Sequence, residues 1–263
     1  MKTEIFQIDA FSQQPFGGNP AAVTLMPDYP DDDWMQQVAA EMNLSETAFL
    51  RPRDDGFDLR WFTPEVEVEL CGHATLASAH FLWERGVVDG SAEISFWTLS
   101  GRLAAKRSEE WIELDFPKQG PEEIGPPPEL LMALGVDARW VGKNRFDYLI
   151  ELGSEKEVRA AAPDFGQLRS VAPRGVMITS RAESPNFDFV SRFFAPAVGV
   201  DEDPVTGSAH CCLAPFWAER LDRNELLGYQ ASRRGGVVRT RTTEDRVVLG
   251  GQAVTVLRGE LEA

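Results

Sequence analysis

One pattern occurs twice in this chain, and it constrains the fold more than any other feature. The first copy is Arg60-Trp61-Phe62-Thr63-Pro64-Glu65-Val66, leading into Cys71-Gly72-His73-Ala74 and an apolar run. The second is Arg192-Phe193-Phe194-Ala195-Pro196-Ala197-Val198, leading into Thr206-Gly207-Ser208-Ala209 and another apolar run. Arg60 and Arg192 lie 132 residues apart, whereas Gly72 and Gly207 lie 135 apart, so the second copy holds three extra residues before its glycine. Phe81/Phe216, Glu84/Glu219 and Arg85/Arg220 keep the offset of 135. In a chain of 263 residues this is close to half the length, and it predicts two similar halves about a pseudo-twofold axis.

Bulk properties exclude several classes. A formal net charge of −16 argues against a nucleic-acid partner or an anionic membrane surface, while leaving room for a small anion in a local pocket. The first residues carry no basic stretch followed by an apolar one, and no apolar run reaches membrane-span length, so a cytoplasmic protein is expected. Cys71, Cys211 and Cys212 form neither a disulfide framework nor a zinc pattern.

Along the first half, strands are expected over 5–11, 21–26, 44–50, 57–62, 66–70, 92–97, 102–106 and 111–116, with an amphipathic helix over 31–42. Residues 74–83 are small or apolar all round, which marks a helix buried on every side, and Gly86 suits its end. Strands before and after it, without a βαβ alternation, suggest a sheet wrapped around a central helix. Residues 117–128 have linker composition, so domains are placed at 1–117, to which the closing strand can return, and 118–263. The second half repeats the plan, with short helices near 130–134 and 164–170 and a long one from Gly207 to Arg220 that Pro215 should kink.

Chemistry can sit at several places. Each Gly-x-Ala helix start leaves backbone N–H groups unpaired, with glycine allowing close approach; it suits a carboxylate, or it only preserves packing. Asn19 follows a Gly17-Gly18 turn and is either a turn residue or a ligand group. Glu46 is a lone carboxylate in an apolar strand, where alternation sets it on one face with Ala48 and Leu50. The offset of 132 sets it against Ile178, so only the first half offers a carboxylate there. The extra segment holds Asp201, Glu202 and Asp203, read as a metal loop, as acids favoured before a helix, or as a catalytic carboxylate at Asp203. His73 sits in a first helical turn that disfavours its protonation, while His80 and His210 read as core residues with local partners. Cys71 is placed for thiolate chemistry, but Thr206 stands in its partner's position, so a two-cysteine proton exchange is not available.

Four segments together, Asn19–Val23, Ser45–Phe49, Cys71–Thr75 and Asp203–Ala209, resemble the PhzF-like (phenazine-biosynthesis) family, whose fold is that of diaminopimelate epimerase. The resemblance implies an α+β fold of two similar, mostly antiparallel β-barrels, each around a central helix, with the site in the cleft between them. It implies a metal-free, cofactor-independent isomerase that moves a proton on a small unsaturated cyclic carboxylic acid, and a homodimer. By resemblance Glu46 is the acid/base, His73 and Asp203 assist it, and Asn19, Gly72, Gly207 and Ser208 bind substrate. The alternatives are a non-catalytic small-anion binding protein and a single-thiol epimerase acting through Cys71.

Overall fold

The computed structural model describes residues 2–262. It is mixed α/β and mostly strands, with six α-helices among the described residues. Two compact units divide the chain: Met1–Asp115 with Gly250–Ala263, and Phe116–Leu249. The chain runs β1 (Lys2–Ala10), β2 (Asn19–Leu25), α1 (Asp32–Met42), β3 (Glu46–Arg53), β4 (Gly56–Phe62), β5 (Glu67–Val68), α2 (Gly72–Glu84), β6 (Ile94–Thr98), β7 (Gly101–Ser108) and β8 (Trp111–Pro117). It continues through β9 (Glu122–Glu123), α3 (Pro128–Leu134), β10 (Trp140–Lys143), β11 (Asp147–Glu151), α4 (Glu155–Ala160), α5 (Phe165–Val171), β12 (Gly175–Arg181) and β13 (Phe189–Ala195). A 3-10 turn at Pro196–Val198 precedes β14 (Val200–Asp203), α6 (Gly207–Leu221), β15 (Glu225–Gln230), β16 (Gly236–Thr242), β17 (Arg246–Gly251) and β18 (Ala253–Glu262).

Four strand pairs are parallel: β2–β3, β4–β6, β11–β12 and β13–β15. A parallel pair needs a long crossover, and here each crossover is helical. Helix α1 joins β2 to β3, α2 lies between β4 and β6, α4 and α5 lie between β11 and β12, and α6 lies between β13 and β15. This corrects the expectation that βαβ alternation is absent. In two of the four crossovers a short antiparallel strand, β5 or β14, follows β4 or β13 before the buried helix and hides the alternation.

The helices follow from local chemistry. Asp31 caps α1 by accepting the Trp34 N–H at 2.8 Å, Asp32 and Asp33 face its positive end, and Asn43 closes it in the left-handed region. In α2 ten residues are buried, and the helix packs on β1, β2, β3 and β18. Its end is closed by Gly86 N–H to Trp83 O (3.1 Å) and Val87 N–H to Leu82 O (3.0 Å). Helix α6 continues through Pro215, which has no N–H for the Cys211 carbonyl. The Gln119 N–H takes that carbonyl instead, at 3.1 Å, so one linker residue satisfies the group that proline leaves open.

One strand is shorter than expected. Only Glu67–Val68 pairs, because the Thr63 hydroxyl accepts the N–H groups of Glu65 and Val66 in a turn (3.2 and 3.0 Å), and Leu70 is exposed. No helix among the described residues is long and apolar enough to cross a membrane.

Candidate active site

In both copies of the repeat the arginine grips the returning segment. Arg60 holds Glu67 with two bonds of 2.7 Å, and Arg192 holds Glu202 at 2.7 and 3.0 Å. Such bidentate pairs fix a segment's direction as well as its distance. They set the chain that enters α2 and α6.

In the first unit, the tight turn before β2 places Asn19. Gly18 has φ +63°, and a Cβ on it would lie 2.0 Å from the Ala10 carbonyl oxygen, so the turn requires glycine. Asn19 then pairs with Ala10 across the β1–β2 ladder and is fully buried. Glu46 opens β3 beside Ala21 of the parallel β2, two residues on from Asn19. Cys71 is the N-cap of α2 and His73 its second residue. These elements bring Asn19, Glu46, Cys71 and His73 together.

The hydrogen bonds have a direction. The Ser45 hydroxyl donates to Asn19 Oδ1 at 3.3 Å, which turns the Asn19 amide nitrogen toward His73 Nδ1, also at 3.3 Å. An amide nitrogen can only donate, so Nδ1 is the acceptor and the imidazole proton sits on Nε2. That nitrogen lies 3.1 Å from Glu46 Oε2, a close contact in which the two atoms are not aligned as a hydrogen bond. Burial pushes His73 down to about 3, so the imidazole is neutral and the contact joins a neutral ring to a carboxyl group. The Glu46 side chain keeps 18% exposure, enough for access by a ligand. The site thus sets a partly exposed carboxyl group beside a neutral histidine, whose ring is in turn oriented by a buried amide.

Cys71 Sγ lies 3.5 Å from His73 Nδ1. Glu46, Cys71 and His73 are the one trio of potential metal ligands found among the described residues, their donor atoms within 4.8 Å of one another. Cys71 and Glu46 approach opposite nitrogens of the ring, however. An ion bound to one nitrogen has the other group across the imidazole, which suits a relay better than a coordination sphere.

In the second unit Asp203 ends β14, Thr206 is the N-cap of α6, and Gly207 and Ser208 are its first residues. The Thr206 hydroxyl donates to Asp203 Oδ2 at 2.5 Å. Neither buried helix has a side-chain cap at its start. Instead the residue four positions on grips each N-cap carbonyl. Thr75 Oγ1 donates to Cys71 O at 2.5 Å, and His210 Nδ1 donates to Thr206 O at 2.8 Å. Thr75 and His210 keep the repeat offset of 135, so one device is built from two residue types. His210 is thus satisfied locally at one nitrogen; its Nε2 is buried with no partner among the described residues.

The carboxylate asymmetry holds, but its counterpart residue is corrected. Arg60 pairs with Phe49, whereas Arg192 pairs with Ile178. With the two arginines matched, Phe49 corresponds to Ile178 and Glu46 to Gly175. The loop between β12 and β13 is longer, which shifts the register by three residues relative to a constant offset. A Cβ on Gly175 would lie 2.3 Å from Phe193 Cζ and 3.0 Å from Asp147 Oδ1, so no carboxylate fits there.

Sequence reading missed several neighbours of the site. Arg174 holds the fully buried Asp147 by two bonds, one of 2.7 Å from Nε, and its Nη2 lies 3.5 Å from Ser208 Oγ. Gln230 bonds the Asp203–Thr206 turn. Arg174 carries no local signal. Gln230 carries one: it stands in phase with the buried Leu226 and Gly228 of β15, a polar residue at a core position.

Comparisons with known proteins place the chain in a family. The family model for phenazine biosynthesis-like protein matches residues 8–259. An uncharacterised isomerase of Halalkalibacterium halodurans is 56% identical over 262 residues, covering 99% of each chain. A crystal structure of a phenazine biosynthesis protein, PhzF family, of Enterococcus faecalis superposes with a TM-score of 0.96 at 41% identity, covering all of both chains. A hydroxyproline epimerase of Agrobacterium vitis shares the fold alone, with a TM-score of 0.62 at 11% identity over 99% of this chain and 92% of that one. The fold is thus that of a strand-rich α/β protein with isomerase-named relatives. The chain belongs to the phenazine biosynthesis-like (PhzC/PhzF) family.

Proposed function

We propose that the protein is an isomerase that moves a proton on a small unsaturated cyclic carboxylic acid, by acid/base catalysis without metal or organic cofactor. The isomerase names of its relatives support the reaction class. The observation that carries the mechanism is the 3.1 Å approach of neutral His73 to Glu46, with the ring oriented by Asn19.

In this reading the Glu46 carboxylate removes a proton from a saturated ring carbon conjugated through a double bond to the substrate carboxylate. The C–H electron pair enters the π-system and spreads to the carboxylate oxygens. The uncapped N–H groups at the start of α2, from Gly72 onward, stabilise that charge. Glu46 then returns a proton to a different carbon, so the product is an isomer and no electron is gained or lost. His73 holds Glu46 in place, and the family resemblance gives Asp203, Gly207 and Ser208 a part in assisting catalysis and in binding. We infer also that each unit closes as a mostly antiparallel barrel around α2 or α6; the packing of α2 on β1, β2, β3 and β18 supports this.

Replacing Glu46 by glutamine keeps the shape and removes the base, so turnover should fall roughly 10²–10⁴-fold while an inert carboxylate such as benzoate still binds. Wild-type turnover in that variant would overturn the assignment. A second reading has one observation in its favour, the 3.5 Å approach of Cys71 Sγ to His73. It makes Cys71 the base and predicts that Cys71→Ser, not Glu46→Gln, abolishes the reaction.

A further inference from the structure

The extra segment of the second repeat bears Asp203, and something must hold it. Gln230, fully buried at the end of β15, spans the turn with its amide. Its Oε1 accepts the Thr206 N–H at 2.9 Å, and its Nε2 donates to Asp203 O at 2.7 Å and to Thr206 Oγ1 at 3.2 Å. A hydroxyl has one proton. Because Thr206 Oγ1 already accepts from Gln230, its proton goes to Asp203 Oδ2.

The first unit has no such clamp. Phe57 pairs with Phe96 there as Phe189 pairs with Gly228 here, which sets Gln230 against Thr98. The Thr98 hydroxyl serves its own hairpin, donating to Gly101 O at 2.7 Å. The added segment and the amide that spans it therefore occur together, in the second unit alone.

We propose that Gln230 is a positioning residue for Asp203: it fixes the Asp203–Thr206 turn and commits the Thr206 hydroxyl proton to the Asp203 carboxylate. Its importance to turnover rests on the isomerase reading; its effect on the turn does not. Gln230→Met keeps the length and removes all three bonds. Gln230→Glu, once ionised, keeps an acceptor for the Thr206 N–H and removes both donated bonds.

The test follows backbone amide exchange by NMR in the full chain, with wild type and both variants. In Gln230→Met the Thr206 amide should exchange about tenfold faster, while Leu213 and Ala214, deeper in α6, keep their protection. In Gln230→Glu the Thr206 amide should keep most of its protection, because the carboxylate still accepts its N–H. Unchanged Thr206 exchange in Gln230→Met, or a Gln230→Glu variant that loses the Thr206 protection as fully as Gln230→Met, overturns the proposal. In parallel, deuterium uptake from D₂O into cyclohexadiene carboxylates is measured. Loss of kcat at unchanged KM in Gln230→Met supports the role, and an unchanged kcat overturns it. If wild type labels none of these acids, the isomerase reading fails for this substrate class, and amide exchange alone decides the Gln230 clamp.

Discussion

At the scale of single residues, a strict electrostatic demand falls on Asp147. Its carboxylate has no exposure, and Arg174 is the cation that compensates it, stacked 4.9 Å from the Phe146 ring. A buried charge that loses its partner is strongly destabilising. Arg174→Met should therefore cost about 3 kcal/mol or more, whereas Arg174→Met combined with Asp147→Asn should recover part of the loss. Chemical denaturation of the single and double variants checks this. Equal loss in both would show that packing on Phe146, not charge, is the reason for Arg174.

At the scale of elements, β12 shows why the two units differ in chemistry. Gly175 lies under the Phe193 ring, and an added methyl would overlap it. Gly175→Ala should lower stability by about 1–3 kcal/mol, read as a reduced denaturation midpoint with unchanged slope. Wild-type stability would mean that the ring has room to move, and that space does not exclude a side chain there. The same strand shows what was legible in the sequence. Glycine followed by an apolar run is a local signal, so the starts of α2 and α6 could be approached from residue order, while the grouping of Asn19, Glu46 and His73 came only with the family resemblance. The partner of a strand residue is not local. A longer loop between β12 and β13 made Gly175, not Ile178, the counterpart of Glu46, and no constant offset reveals that. Nor does it reveal Gln230, which reaches Thr206 across 24 positions. Two of the parallel pairs, β4–β6 and β13–β15, were hidden for a related reason: β5 and β14 interrupt the alternation, whereas strand, helix and strand at β2, α1 and β3 stand in plain order.

At the scale of the whole molecule, the buried histidines set a pH limit. Burial pushes His73 down to about 3 and His210 down to about 4, from an ordinary 6.5. Between those values the unfolded chain binds protons that the folded chain refuses. Stability is therefore complete above about pH 7 and falls on acidification, by about 1.4 kcal/mol per pH unit for each histidine within its window. The denaturation midpoint should drop clearly between pH 7 and pH 5. A flat profile would mean that the folded protein protonates these rings, contrary to a neutral His73 beside Glu46.

The central claim is that Glu46 moves a proton on carbon. It is tested by incubating wild type and Glu46→Gln in D₂O with cyclic unsaturated carboxylic acids and following deuterium at ring carbons by NMR and mass. Wild type should isomerise an acid of this class with deuterium entering at carbon, and Glu46→Gln should bind the same acid without labelling it. Labelling by Glu46→Gln at the wild-type rate would contradict the account.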